Sequence, residues 1–253
     1  MDEVLVERRD GVLLMTINRP EARNALTRAV AEGVAAAVDE LDADDALRAG
    51  VLTGAGGTFS AGMDLKAFLR GETPAIEGRG LCGITQTPPR KPLVAAVEGW
   101  ALAGGFELVL ACDLVVAAET ARFGVPEVKR SLVAAGGGAL LLPRRVPANV
   151  AMEMLLTGDP IDARRAAEVG LVNRVTPEGD ALDGALALAA TVAENGPLAL
   201  AATKAVVRGS ADWTTAEGWA RQAELVAPVF ASEDAREGAA AFAEKRPPVW
   251  RGR

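Results

Sequence analysis

The chain has 253 residues, half of them apolar, and a net charge of −7. This length can bury a sizeable core, and the acidic balance argues against a nucleic-acid binder that relies on general basicity. No apolar run reaches the ~20 residues of a membrane span, and the N-terminus is acidic where a signal peptide is basic, so we expect a cytoplasmic protein with no membrane partner.

The sequence contains no histidine and no tyrosine. This excludes the Ser-His-Asp and Cys-His nucleophile systems and the histidine zinc sites. The two cysteines, Cys82 and Cys112, cannot form a disulfide framework, and Cys112 lies in an apolar run typical of a core residue. Proton transfer in this protein must therefore use Glu, Asp, Lys or Cys, and we expect no metal site.

The N-terminal third alternates strands and helices. Residues 4–8 and 12–17 are predicted strands joined at Asp10 and Gly11, a pair typical of a hairpin turn. Thr27 is a candidate N-cap for the next helix, which has one apolar face formed by Val30, Val34, Val38 and Leu41. Residues 47–53 form the next predicted strand.

Two glycine-rich or irregular segments follow. Residues 54–58 are rich in glycine, but Phe59 stands where a dinucleotide fingerprint needs its last glycine and no Gly-Lys-Ser/Thr follows, which argues against nucleotide binding. Residues 70–91 have no periodicity and predict an irregular or short-helical surface excursion, a type of segment that is often functional.

Residues 93–127 form the most informative stretch. A β-branched run predicts a buried strand, glycines open a turn, and residues 106–112 are apolar except for Glu107. Such a helix is buried. An ionised carboxylate there is costly, so Glu107 has either a dedicated partner or a raised pKa.

The rest of the chain changes from mixed to helical. Strands are predicted at 114–117 and 171–175, with helices at 150–156 and from Asp162 to about Gly170. Beyond Pro177 the pattern is helical only, at 182–194, 197–208, 213–227 and 232–245. The sequence predicts an α/β core, residues 1–190, and a C-terminal helical region, residues 191–253.

Four positions combine into a candidate reaction site. Met63 and Gly104 each follow a strand and a glycine turn, so their N–H groups are expected at two helix starts that favour negative charge. Glu107 and Glu127, 20 positions apart, can flank one substrate. The simpler alternatives are that the glycines only shape turns and that Glu127 is a solvated residue at a helix start.

Other charged residues have simpler expected roles. Asp64 and Asp113 are expected to hold caps or turns. Lys66 and Lys245 are expected in solvent, where either can meet a phosphate.

Four segments of this chain resemble the crotonase (enoyl-CoA hydratase/isomerase) superfamily, in the same order and over essentially the whole sequence. The resemblance implies an α/β fold, a crotonase-type spiral of ββα units with an α-helical C-terminal trimerisation region, and self-association as a homotrimer or hexamer. The segments are Phe59–Leu65, Ala96–Leu108, Phe123–Glu127 and Ala239–Arg246.

The resemblance also implies roles. Met63 and Gly104 match the oxyanion-hole donors, and Glu107 and Glu127 match the two catalytic glutamates of an enoyl-CoA hydratase. Lys66, Phe242 and Lys245 match family positions near coenzyme A. Coenzyme A is part of the acyl-CoA substrate and not a separate cofactor. The alternatives are a carnitinyl-CoA dehydratase-like or enoyl-CoA isomerase activity, or a non-catalytic acyl-CoA-binding member.

Two departures from the family pattern concern the acyl pocket. A proline and a glycine of the loop after the second glutamate are replaced by Ala134 and Ala135, although Ala135 still offers an N–H to orient a water. Phe106 and the ending Glu244–Trp250 are similar to the carnitinyl-CoA dehydratase branch. This similarity suggests a branched or cationic acyl group.

Overall fold

The computed structural model describes residues 2–253. The strands are Val4–Arg9 (β1), Val12–Ile17 (β2), Ala49–Gly54 (β3), Ala75–Ile76 (β4), Gly80–Leu81 (β5), Leu93–Val97 (β6), Trp100–Leu102 (β7), Leu114–Ala118 (β8), Arg122–Gly124 (β9), Ile161–Asp162 (β10) and Arg174–Thr176 (β11). Six of them form one sheet in the order β1-β2-β3-β6-β8-β11, a second sheet has the order β10-β9-β7, and β4 pairs with β5.

Helices cover both faces of the six-stranded sheet. The helices are Arg28–Ala43 (α1), Leu65–Leu69 (α2), Gly104–Ala111 (α3), Gly138–Leu141 (α4), Ala148–Thr157 (α5), Ala163–Glu168 (α6), Ala181–Ala193 (α7), Pro197–Ser210 (α8), Thr215–Ala231 (α9) and Glu233–Glu244 (α10). One core layer lies between the sheet and α1 and α3, and a second lies between the sheet and α7.

The N-terminal predictions are confirmed. β1 and β2 pair antiparallel, and Asp10 and Gly11 between them have φ of 47° and 82°, the left-handed values that such a turn requires. The Thr27 side chain accepts a hydrogen bond from the Val30 N–H and caps α1.

A repeated ββα unit positions the site. β3, β6 and β8 are parallel neighbours in the large sheet. The segment after each of them adds to the small sheet, where Ser60, β7 and β9 lie side by side in parallel. The turns that leave Ser60, β7 and β9 therefore emerge next to one another, and each leads into a helix.

Some predicted boundaries were wrong. The predicted strand at residues 171–175 is β11, which begins only at Arg174. Leu171 and Val172 instead donate their N–H groups to the Ala166 carbonyl and close the end of α6. Residues 70–91 contain β4 and β5 and no helix, in line with the predicted irregular excursion.

The C-terminal helices follow the sheet-bound α7. The predicted domain boundary, between residues 190 and 191, falls in the last turn of α7, whose Ala185 and Ala189 are buried against the sheet. α8 packs on α9, and α9 packs on α10. Within residues 2–253 no single helix has the length and apolarity to cross a membrane; α7 and α8 meet that test only as a pair bent by 108°.

Candidate active site

Two backbone N–H groups from consecutive ββα units lie side by side. A Cβ atom placed on Gly62 would lie 3.2 Å from the Gly104 nitrogen, and one placed on Gly104 would lie 3.7 Å from the Met63 nitrogen. Gly62 has φ of 94°, and its Cβ would lie 2.7 Å from the Ala103 Cβ, so this position requires glycine. The structure thus brings together the two donors that the sequence predicted.

The local backbone leaves both donors free. The Leu26 N–H donates to the Gly62 carbonyl and the Asp64 N–H donates to the Leu26 carbonyl, so Met63 directs its own N–H away from Leu26. Gly104 is the first residue of α3, where an N–H has no intrahelical acceptor. Within residues 2–253, neither N–H donates to a protein acceptor.

Ala103 makes the sharp entry into α3. Its φ of 50° and ψ of −128° are strained for a residue with a side chain, and its N–H donates to the Gly124 carbonyl at 2.9 Å. This bond ties the start of α3 to the end of β9. The turn that carries Gly104 is therefore fixed against the segment that leads to Glu127.

Glu107 lies one turn into α3 and is only 4% exposed. Its Oε1 accepts a hydrogen bond of 2.8 Å from the Gly138 N–H. Burial raises the pKa of Glu107 to about 7, against the opposing effect of hydrogen bonds from the backbone of Gly138 and its neighbours; the charge of Glu127 raises it further. Both sequence alternatives for Glu107 hold, because it has a dedicated partner and a raised pKa.

Glu127 lies in the 3₁₀ turn Pro126–Arg130. Its Oε2 atom is buried and has no hydrogen-bond partner among residues 2–253, which contradicts the solvated alternative. Burial raises the pKa of Glu127, and the backbone hydrogen bond and the Arg130 charge lower it. A buried, unpartnered carboxylate oxygen is costly, and it marks a group available to a ligand or water.

The loop after Glu127 serves Glu107 and differs from expectation. A Cβ atom on Gly136 would lie 2.5 Å from Glu107 Oε2, and one on Gly138 would lie 3.1 Å from Oε1. The Ala135 N–H, expected to orient a water, instead donates to the Val133 carbonyl at 2.7 Å. That prediction was wrong because the two alanines close a tight turn of their own.

The aspartates have the structural roles that the sequence predicted. Asp64 accepts hydrogen bonds from the Lys66 and Ala67 N–H groups and caps α2. Asp113 accepts from the Leu93 N–H and from Lys204 and Arg208 of α8.

The three residues predicted near coenzyme A are not gathered in this chain. Lys66 is exposed on α2, beside the Met63 donor. Phe242 is 88% exposed on α10, and Lys245 is the C-cap of that helix. The tail after Lys245 returns to α10 and, through Trp250, to the Glu194 carbonyl. These contacts tie α10, through the tail, to the end of α7.

Sequence reasoning missed one residue beside the donors, Leu81. Its Cδ2 would lie 3.2 Å from a Cβ on Gly104 and 3.1 Å from one on Gly136, so its side chain separates the donor pair from the Glu107 loop. It belongs to the irregular segment 70–91, where no pattern signals it. Phe106, in contrast, is fully buried with its ring 5.7 Å from that of Phe123, so it is a core residue.

A cavity of 810 Å³ lies beside the Glu107 loop, between the core and α8. Thr85 and Leu141 line it, and both also lie within 3.1–3.6 Å of a Cβ placed on Gly137. One layer of side chains therefore separates the Glu107 loop from the cavity.

Within residues 2–253 no group of three Cys, Asp or Glu side chains is placed to hold a metal ion.

This arrangement has known counterparts. Residues 7–253 match the family described as enoyl-CoA hydratase/isomerase. A crystal structure of an enoyl-CoA hydratase from Mycobacterium tuberculosis H37Rv is 57% identical over the whole of both chains, with a TM-score of 0.98. Enoyl-CoA hydratase EchA19 from M. tuberculosis is 42% identical over 99% of this chain and 97% of its own length.

A second group of relatives carries a different name. The carnitinyl-CoA dehydratase of Salmonella enteritidis is 41% identical over the whole of both chains. These full-length matches agree with the mixed α/β fold and its C-terminal helices. The chain belongs to the enoyl-CoA hydratase/isomerase family.

Proposed function

We propose that this protein is an enoyl-CoA hydratase that adds water across the 2,3 double bond of an enoyl-CoA thioester. The observation that carries the proposal is the placement of Glu107, buried with a pKa of about 7, on the helix whose first N–H belongs to the donor pair. Glu127 adds a second carboxyl group with a raised pKa and an unpartnered oxygen.

The donor pair stabilises charge on the thioester oxygen. When the oxygen of water bonds to C3, the electrons of the double bond move toward the thioester carbonyl and its oxygen becomes negative. The Met63 and Gly104 N–H groups donate to that oxygen; each such fixed donor lowers the barrier by about 2.7–4 kcal/mol. No histidine or metal is needed for this step.

The two glutamates divide the proton transfers. Glu107 as carboxylate takes the proton that water loses, and Glu127 as carboxylic acid gives its proton to C2 of the enolate. The product is the 3-hydroxyacyl thioester, and one proton transfer from Glu107 to Glu127 restores both groups. The two titrations are coupled, so the pair and not either residue alone sets the pH behaviour.

A direct assay tests the activity. Purified protein is expected to bleach the ultraviolet absorbance of crotonyl-CoA as the conjugated double bond is hydrated. Product analysis with a 3-enoyl-CoA distinguishes an isomerase, and a carnitinyl-CoA substrate tests the dehydratase alternative named by the Salmonella relative. If calorimetry shows that acyl-CoA binds but no substrate in a panel of chain lengths is turned over, the protein is a non-catalytic acyl-CoA-binding member of the family.

The substitution Gly136→Ala tests the support of Glu107. Its Cβ would lie 2.5 Å from Glu107 Oε2, so the carboxylate must move. A misplacement of about 1 Å costs up to 10²-fold in rate, and we expect kcat to fall by at least about tenfold.

The matched control for this substitution is Gly196→Ala. Gly196 has φ of −60°, and the nearest atom to its Cβ would be 3.8 Å away. Full activity in Gly136→Ala would contradict the assigned role of the loop.

We also propose that the acyl group points from the donor pair past Leu81 toward the cavity beside Thr85 and Leu141. The supporting observations are the position of Leu81 between Gly104 and Gly136 and the single layer of side chains before the cavity. Because Phe106 packs on Phe123, its size is not a guide to the acyl group.

We propose that the C-terminal helices, the predicted region 191–253, assemble copies of the chain into a homotrimer or hexamer. Within α8 and α9 no residue is fully buried, and Trp219, Phe230 and Phe242 are 71–88% exposed, as expected of a surface that contacts another copy. Phe242 and Lys245 would then reach coenzyme A in a neighbouring subunit, while Lys66 meets it in its own.

Light scattering tests this assembly. A mass three or six times 26.1 kDa is expected, and the mass of one chain would contradict it.

Coenzyme A arrives with the substrate, and we propose no further cofactor. A cytoplasmic location stays a prediction.

A further inference from the structure

Ser60 lies between the two donor loops and contacts both. Its N–H donates to the Trp100 carbonyl at 2.9 Å, and its carbonyl accepts from the Leu102 N–H at 3.0 Å, two residues before Gly104. Its hydroxyl accepts from the Gly62 N–H at 3.2 Å, one residue before Met63. The residue is fully buried.

The start of α3 packs directly on Ser60. A Cβ atom on Gly105 would lie 2.7 Å from Ser60 Cβ and 2.9 Å from Ser60 Oγ. Gly105 follows the Gly104 donor without a break. Ser60 therefore lies between the two donor loops as a spacer, and its size helps to fix the distance between the two donors.

The Ser60 hydroxyl is itself anchored. It donates to the Asn24 carbonyl at 2.8 Å. Asn24 is fully buried, and its side chain donates to the Ala55 and Thr58 carbonyls and accepts from the Arg19 N–H. Because a hydroxyl has one donor hydrogen, the bond to Asn24 directs an Oγ lone pair toward the Gly62 N–H.

We propose, resting on the hydratase function above, that Ser60 is a positioning residue for the oxyanion hole. Its hydroxyl orients the Gly62 peptide, and through it the Met63 N–H, relative to the Gly104 N–H. Ser60 does not touch the substrate. It acts by keeping both donors aimed at one oxygen, so its loss weakens the charge stabilisation while leaving coenzyme A binding intact.

The test compares Ser60→Ala with Thr53→Val. Thr53 carries another buried hydroxyl, which donates to the Ala96 carbonyl at 2.9 Å, so both variants lose a buried hydroxyl hydrogen bond, but only Ser60→Ala loses one that involves a donor loop. Two quantities are measured: the kinetics with crotonyl-CoA, and the infrared carbonyl stretch of bound [1-¹³C]butyryl-CoA, a saturated thioester that cannot be hydrated.

Ser60→Ala is expected to lower kcat by about 10- to 100-fold, the range of a displaced or lost donor, with KM within about twofold. The bound carbonyl stretch should move back toward its frequency in water. Thr53→Val should match the wild type in both measurements. If Ser60→Ala does not fold, Ser60→Cys, with a weaker donor and acceptor, takes its place with the same expected direction.

The outcomes separate this inference from the function beneath it. Wild-type protein that neither hydrates crotonyl-CoA nor shifts the carbonyl stretch overturns the proposed function. A wild type that does both, with a serine variant that retains the full shift and kcat, overturns only the role of Ser60. A loss shared equally with Thr53→Val also overturns it, since the effect would then be general destabilisation.

Discussion

Replacing Glu107 with glutamine is expected to lower kcat for crotonyl-CoA hydration by about 10²–10⁴-fold, the usual contribution of a positioned general base. The amide has nearly the same shape and can keep the 2.8 Å hydrogen bond from the Gly138 N–H, but it cannot accept the proton from water. The loss should therefore fall on kcat, measured by the absorbance assay, with little change in KM.

The pKa of Glu107 adds a pH dependence with a defined sign. The base must be ionised, and burial raises the pKa of Glu107 to about 7, so the ionisation that activates the coupled Glu107–Glu127 pair is expected near pH 7, and wild-type kcat/KM should fall about tenfold per unit below it. The residual kcat/KM of Glu107→Gln should not show this rise with pH. A rise in the wild type centred near 4.5, the ordinary glutamate pKa, would contradict the assignment.

The same shift predicts an opposite effect on stability. The folded-state pKa exceeds the unfolded value, so between pH 4.5 and about 7 the folded state binds more protons. The free energy of unfolding therefore falls as pH rises through that window, by about 3 kcal/mol for this group. Glu107→Gln should lack this loss and be more stable than wild type at pH 8 in a urea titration.

A suitable control for Glu107→Gln is Glu98→Gln. The Glu98 carboxylate accepts hydrogen bonds from the Gly179 and Ala181 N–H groups at the start of α7. Both substitutions remove a carboxylate that accepts backbone N–H bonds, but only Glu107 lies beside the donor pair. Wild-type activity in Glu98→Gln is expected, and full activity in Glu107→Gln would contradict the mechanism.

Replacing Glu127 with glutamine is expected to cost a comparable factor, about 10²–10⁴-fold in kcat, because the amide cannot supply a proton to C2. The Oε2 atom has no hydrogen-bond partner among residues 2–253, so placing the amide nitrogen there breaks no hydrogen bond of that atom, and the melting temperature should change little. Solvent-to-C2 hydrogen exchange in the 3-hydroxyacyl product, followed by mass spectrometry in deuterated water, measures the step that we assign to Glu127.

The control for Glu127 lies in the same 3₁₀ turn. Lys129 pairs with Asp159 on the surface, and Lys129→Met removes this ion pair without touching the carboxyl group. Its kcat should equal that of the wild type. If Glu127→Gln exchanged and hydrated at the wild-type rate, Glu127 would have no part in the reaction.

Much of the fold follows from local sequence. The hairpin at Asp10 and Gly11, the Thr27 cap and the four C-terminal helices each depend on short-range backbone preferences and apolar periodicity, so they were predictable. The short strands β7, β9 and β10 were not predicted, because two or three residues carry no periodicity. Their pairing in the small sheet depends on the neighbouring units.

The candidate site divides in the same way. A lone carboxylate on an all-apolar helix marked Glu107 from sequence, because a buried charge is costly wherever the helix packs. Its pKa of about 7, its hydrogen bond from the Gly138 N–H and the close packing of Gly104 against the Met63 backbone were decided by tertiary structure. The positions of Leu81 and Ser60 likewise depend on contacts between segments distant in sequence, and the Ala135 N–H is taken up by the Val133 carbonyl in a local turn that no sequence pattern indicated. The sequence by itself determined which residues are candidates for the chemistry. The stacking of consecutive ββα units determined how close they lie and where each hydrogen-bond donor points, since those distances exist only once the parallel strands are paired.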